Sequence, residues 1–264
     1  MTDDRGVWVH AMTRGLRDEG LVGVSGAGGS PVRTVQVGGL VAVVADVDLD
    51  DYGEAALRRN LGDLAWLESA ATAHHRVAEA VWRHGPVVPT RLGTVYRDEA
   101  ALRTELADRR VDLTATLDRL ADRTEWGVKA YASRDRRPTG QPDDADGASP
   151  ASTGVGTDYL RRRRARLAAG EATARAAVDS AEAVHTMLTR YAEAARRHRP
   201  QDRGLSGVPD WMVLNGAYLV HAERGAEFGE LVRTLGTRYP GLRLELTGPW
   251  PPYSFATLGQ GEST

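Results

Sequence analysis

Cysteine is absent from the 264 residues. That excludes disulfides, cysteine-ligated zinc, iron–sulfur clusters and thiol nucleophiles together, and a reducing compartment fits. Lysine occurs once, at Lys129, so the positive charge is almost all arginine. Neither sign of charge is in excess: 34 Lys+Arg stand against 36 Asp+Glu, a formal net charge of -2, so whole-chain electrostatics select neither nucleic acid nor an acidic surface. No apolar run approaches the roughly 20 residues that cross a bilayer. Residues Met1 to Arg5 are polar and acidic, unlike a secretory signal. The expectation is a protein made and kept inside the cell, long enough for two domains, or one large one, with real cores.

Candidate chemistry fails residue by residue. His74 and His75, with His84, resemble a metal site only at first sight, because adjacent helical side chains point about 100° apart and ligands on one helix need a spacing of three or four. A helix-packing or hydrogen-bonding role suits them better. Gly23-Val24-Ser25-Gly26-Ala27 approaches a nucleophile elbow but has Ala27 in place of the last glycine and no helix after the serine, so it reads as a surface turn. The same glycine cluster misses the dinucleotide spacing at Pro31, and no Gly-Lys-Ser/Thr phosphate loop occurs. Asp48, Asp50 and Asp51 read as an ordinary helix approach. Arg161 to Arg164, with Arg166, form the one notable charge run. It lacks interleaved aromatics for stacking and is soon followed by Glu171, Asp179 and Glu182, which argues against nucleic acid. The residues therefore indicate no catalytic group, no cofactor and no metal.

Periodicity places the elements. Val7, Val9 and Ala11 alternate with Trp8, His10 and Met12 in an inner strand, and Gly20 to Pro31 reads as a flexible loop. Val32–Val37 and Leu40–Val44 about Gly38-Gly39 predict a hairpin. A helical stripe follows over Ala55–Arg83 through Leu57, Leu61, Leu64, Ala71, Ala78 and Val81, then a strand over Val87–Tyr96. A second helix is expected from an Asp98 cap to Leu120, then a strand around Trp126 and Val128. This order predicts an α+β protein whose first domain, residues 1–132, is a modified ferredoxin-like domain with split βαβ layout. Residues 133–157, rich in Pro, Gly, Asp, Ser and Thr, predict a flexible linker. Residues 158–264 predict a second α+β domain: a long helix over Tyr159–Arg199 whose thin, alanine-heavy stripe leaves room for a coiled-coil partner, a strand at Trp211–His221, a short helix, and a strand from Leu242.

That last strand leads into Thr247-Gly248-Pro249-Trp250-Pro251-Pro252-Tyr253-Ser254-Phe255. Three prolines in four positions remove backbone donors and fix φ, so this is a stiff extended strap. It either closes over the protein's own core or presents Trp250, Tyr253 and Phe255 to another protein. The string Gly248-Pro249-Trp250-Pro251-Pro252-Tyr253-Ser254-Phe255 after a strand resembles the C-terminal pattern of the gas vesicle protein family GvpL/GvpF. Further blocks resemble it in order: Gly39–Val44, Ala73–Val77, Val88–Val95, Glu125–Lys129, Gly156–Leu160 and Asn215–Val220. The resemblance marks Trp250, Pro251, Pro252, Tyr253, Phe255, Arg91, Gly93, His74 and Trp126 as family positions with a partner-binding or structural role. At His75 this chain departs, since the family usually has a carboxylate there.

The resemblance implies a non-catalytic accessory or minor structural protein of gas vesicles, the gas-filled shells that give cells buoyancy. Its implied partners are the hydrophobic shell subunit and other accessory gas vesicle proteins, with no membrane. Its implied location is the gas vesicle, and the cytoplasm during assembly. The residues alone also leave open a ferredoxin-like binding module for a small ligand or nucleic acid.

Overall fold

The computed structural model describes residues 5–60, 62–132, 155–200 and 211–256. Strand β1 (Arg5–Arg14) is buried over nearly its whole length, because residues of both its faces are covered, and both of its edges are paired. One edge takes β3 (Leu40–Asp48) in antiparallel register from Arg5 opposite Asp48 to Arg14 opposite Leu40, with an irregularity between Val9 and Ala11. The other takes β4 (Val88–Pro89) at Ala11 and Met12, and β5 (Val95–Tyr96) at Val7 and Trp8. Strand β2 (Val32–Val37) pairs with β3 across Gly38 and Gly39, whose φ values of 57° and 88° suit the two-residue turn that matches strand twist. The sheet order is β2-β3-β1-β4, with β5 also on β1.

Three elements differ from their periodicity. The strand expected over Val87–Tyr96 is two short pieces, because Thr94 donates from both its backbone N–H and its hydroxyl to the Arg91 carbonyl, at 3.2 and 2.7 Å, and Gly93 takes a φ of 81°. The helix expected over Ala55–Arg83 is two, α2 (Glu54–Asn60) and α3 (Leu64–Trp82), with a short α1 (Leu49–Tyr52) before them. Asp63 restarts it by accepting the Ala65 and Trp66 amides at 2.9 and 3.3 Å, a cap that outweighs the continuing stripe; Leu61 lies outside the described residues. Asp98 caps as expected, accepting the Ala101 amide at 2.7 Å, but the helix bends at Arg109 into α4 (Glu99–Asp108) and α5 (Arg110–Leu120).

The glycine loop is only partly a surface turn, with Val22, Gly23, Gly28 and Gly29 exposed and Gly26 and Ala27 buried. It carries two 3-10 turns and a bridge from Ser25 to Pro31, and Ala27 is buried with Trp8, Val47 and Ala70. Gly26 permits this, since a Cβ there would stand 2.5 Å from His10 Nε2 and 2.7 Å from the Ala45 Cβ. Beneath the opposite end, α3 packs Val77 and Val81 on Ala11, Val41 and Val43.

The second sheet has order β7-β8-β6-β9. Its strands are β6 (Arg123–Ala132), β7 (Ala194–Arg197), β8 (Trp211–His221) and β9 (Leu242–Trp250), with helices α6 (Val155–Tyr191) and α7 (Gly225–Arg238). Strand β6, placed by sequence order in the first sheet, instead lies inside this one. Helix α6 stops at Tyr191, short of Arg199, because residues 194–197 join the sheet; the His198 amide donates to the Asn215 carbonyl at 2.8 Å. Sheet pairing overrides the helix propensity of an alanine- and arginine-rich stretch. Among the described side chains of α6 the buried ones, Ala181, Val184 and Leu188, lie in its last turns, while Leu167 is 61% exposed. The expected linker lies outside the described residues except for 155–157, which open α6.

The chain forms two compact units, one comprising residues 1–126, 219–223 and 248–264, the other residues 127–218 and 224–247. The strap thus groups with the first unit, although it follows the second in sequence.

Two glycine substitutions test the packing in opposite directions. Gly26→Ala drives a methyl into His10 and Ala45 and is expected to cost about 1–3 kcal/mol. Gly170→Ala, in the exposed part of α6 with nothing within 4 Å, is expected to add about 0.5–1 kcal/mol. Urea midpoints check both; a Gly26→Ala protein as stable as the parent contradicts the buried loop.

Candidate functional site

The strap is tied down by groups that no local pattern announces. Gly248 has a φ of 114°, and a Cβ there would stand 2.8 Å from the Glu125 carbonyl, so only glycine fits the approach. Pro251 and Pro252 are buried, and Tyr253–Phe255 make a 3-10 turn. Ser254 donates its amide to one oxygen of the Glu125 carboxylate at 2.7 Å and its hydroxyl to the other at 2.6 Å. Arg119 donates to the Phe255 carbonyl at 2.8 Å. Phe255, 1% exposed, fills the interior of its own unit. Tyr253 is half-buried with its hydroxyl 3.3 Å from His75 Nδ1, and burial, followed by Glu125 and Glu79, raises its pKa. Trp250 remains 43% exposed, its ring edge-on to His75 at 5.5 Å.

Beside the strap a cavity of about 710 Å³ opens in the same unit. Buried Met12, Val88, Pro89, Leu106 and Leu113 form its floor, and Arg91, Tyr96, Glu105, Arg109, His75 and Tyr253 stand around it. Glu105 and Arg109 pair at 3.2 Å, one helical turn apart. Arg91 is exposed at the mouth, on the turn that Gly93 makes, and among the described residues its guanidinium has no ion pair or hydrogen bond. Of the positions marked in the sequence, His74, Arg91 and Tyr253 meet at this cavity. Trp126 does not; its indole donates to Thr124 Oγ1 at 3.0 Å.

His74 is held on both nitrogens. Nδ1 accepts from the Trp8 indole at 3.3 Å, which leaves Nε2 to donate to the Thr90 carbonyl at 3.0 Å. His10 lies alongside, ring centroids 5.1 Å apart, with Nε2 accepting the Ala27 amide at 3.4 Å. Its Nδ1 is buried without a partner among the described residues. Burial, and then His74, lowers the His10 pKa to about 3. Burial, followed by His75, lowers that of His74 against the opposing pull of Thr90. Both rings are neutral near pH 7, and neither nitrogen of His74 is free to take a proton from a substrate or to hold a metal.

Capture of a partner by the edge of the first sheet is discouraged. On edge strand β2 the Thr34 amide donates to Asp18 at 2.7 Å, and the Gln36 carbonyl accepts from Arg103 at 2.9 Å. The opposite edge strand β4 has two residues, one of them proline. Sequence reasoning missed Glu125 and Arg119, whose partners lie far along the chain, and Arg109, whose spacing of four from Glu105 is legible but whose place at the cavity is not.

A family model described as Gas vesicle synthesis protein GvpL/GvpF matches residues 6–257. The chain is 43% identical over 260 residues to Gas vesicle protein L of Streptomyces sp. (strain CB03234), covering 98% of this chain and 96% of that protein. It is 30% identical over 228 residues to Gas vesicle protein F of the same strain, covering 85% and 87%. Its fold is like that of the crystal structure of the gas vesicle protein GvpF from Anabaena sp. PCC7120, with a TM-score of 0.64 at 18% identity over 98% of this chain and 99% of that one. Among the described residues no helix is long and apolar enough to cross a membrane.

The neutral imidazoles make stability depend on pH. Their folded-state pKa values are depressed, so the unfolded chain takes up protons near its ordinary value of about 6.5 while the folded chain refuses them. This stability is complete above about pH 7 and is lost as pH falls toward the His10 value of about 3, at about 1.4 kcal/mol per pH unit for each refused proton. In urea melts compared between pH 7 and pH 5.5, His10→Phe is expected to lose roughly 1 kcal/mol less than the parent. Equal losses contradict a neutral His10.

Proposed function

The chain belongs to the GvpL/GvpF family of gas vesicle synthesis proteins, and from that premise we propose that it is a non-catalytic accessory protein of gas vesicle assembly that binds the hydrophobic shell subunit. A wall that holds gas must carry a face that water does not wet. Its free subunit therefore exposes apolar surface and unpaired strand edges that aggregate unless covered. This protein supplies the cover, acting in the cytoplasm during assembly and in association with the vesicle and its other accessory proteins.

The observation that carries the reading is the face on the first unit where Trp250 stands exposed on a strap clamped by Glu125, next to a largely apolar-floored cavity. A stiff backbone presents an aromatic anchor at small entropic cost. Phe255, being interior, takes no part in that contact; Trp250 and Tyr253 remain. Identity with a protein L that exceeds identity with a protein F of the same strain supports an L-like member. We also read both sheets as split βαβ arrangements of ferredoxin-like type. What supports this is the shared order, β2-β3-β1-β4 and β7-β8-β6-β9, with the glycine loop in place of the first crossover helix in one of them.

Capture of the shell subunit by immobilised protein tests the proposal. The parent is expected to retain it, Trp250→Ala to bind it about tenfold more weakly or worse, and Val22→Ala, exposed on the same unit, to bind as the parent does. No capture by the parent overturns the reading, and undiminished capture by Trp250→Ala removes the strap from it.

A further inference from the structure

The ionisable groups around the cavity do not balance. Its one carboxylate, Glu105, is taken by Arg109 on the next helical turn, so Arg91 is left over at the mouth with no partner among the described residues. Among the described residues no other acid lines the cavity to neutralise it. The guanidinium is planar, always charged, and shaped to take a carboxylate through two parallel hydrogen bonds. Behind it the floor is aliphatic: Met12, Val88, Leu106 and Leu113 are buried there.

We propose that this cavity is a binding site for a short apolar peptide segment of a partner protein that carries one acidic side chain, with the acid held by Arg91 and the neighbouring aliphatic side chains seated on the floor. The location of the cation decides the manner of entry. Because Arg91 is exposed at the mouth and the floor is apolar, the acid stays outermost while its apolar neighbours insert, which describes a chain passing across the opening. The Tyr96 hydroxyl stands in the lining, and the Thr90 and Thr94 hydroxyls, whose protons go to the Val9 and Arg91 carbonyls, keep lone pairs there, polar groups that suit a peptide backbone better than a bare hydrocarbon tail. A volume of about 710 Å³ accommodates a few side chains and no more. Gly93 places the cation, since its positive φ closes the turn on which Arg91 sits.

The inference rests on the proposed function in one respect: the shell subunit is taken as the source of the segment. Overlapping dye-labelled peptides covering the shell subunit, each acid-containing one also made with the acid changed to its amide, are titrated against the full chain by fluorescence anisotropy. At least one acidic, aliphatic peptide is expected to bind about tenfold more tightly than its amide counterpart. Arg91→Gln is expected to erase that difference, and Arg91→Glu to reverse its sign. Arg91 is exposed, so neither variant disturbs the core, and unchanged circular dichroism melts check this.

Peptides that bind equally with acid or amide, or equally to parent and Arg91→Gln, overturn the inference. So does binding of decanoate alone, with no peptide bound, which would make the cavity a lipid site. Whole shell subunit captured alike by the parent and Arg91→Gln removes the cavity while leaving the proposed function intact. A parent that captures no shell subunit removes the proposed function itself.

Discussion

The carboxylate of Glu125 gathers the C-terminal strap onto the first unit. Ser254 gives it two hydrogen bonds, one from the backbone and one from the hydroxyl, and Arg119 holds the next carbonyl. Hydrogen bonds to a charged acceptor are stronger than neutral ones, each contributing about 1.5–3 kcal/mol. Prolines on either side of Trp250 limit what the free strap could otherwise explore. With the strap fixed, Phe255 closes the interior, Tyr253 reaches His75, and Trp250 is left at the surface. The strap's side of the cavity therefore follows from one clasp between residues far apart in the chain.

Beneath that rim lies a polar core that stays uncharged. His74 is oriented by Trp8 on one nitrogen and Thr90 on the other, and His10 is closed in by Gly26 and Ala27. Charging either ring would place a cation among buried groups beside another imidazole. His74 holds the Thr90–Thr94 turn through the Thr90 carbonyl, and that turn is what carries Arg91. A carboxylate at the position of His75, as the family resemblance would have it, would alter the charge of the rim itself.

Much of the first sheet is legible in the sequence. The alternation in Val7–Met12 and the Gly38-Gly39 pair specify a doubly paired strand and a tight hairpin through local sterics alone. Asp98 marks a helix start for the same reason. The misses have a common cause, a tertiary or capping contact that outweighs periodicity: Asp63 restarts a helix that the apolar stripe would continue, and pairing with β8 converts the end of a helix-prone run into β7. The strap is legible as stiff, but the choice between closing strap and docking surface is not, and the structure divides it, with Phe255 inside and Trp250 outside. The cavity left no trace in the sequence because its walls come from β1, α3, β4, the 90–94 turn, β5, α4, α5 and the strap.

The central claim is that the face bearing Trp250 and the cavity is where the shell subunit is held. Site-specific photo-crosslinking in cells assembling vesicles tests this most directly, with a photoreactive residue placed at position 250, at position 91, or at the exposed position 22 of the same unit. Covalent adducts with the shell subunit are expected from positions 250 and 91 and not from position 22. Adducts from position 22 alone, or none from any position while vesicles form normally, would contradict the account.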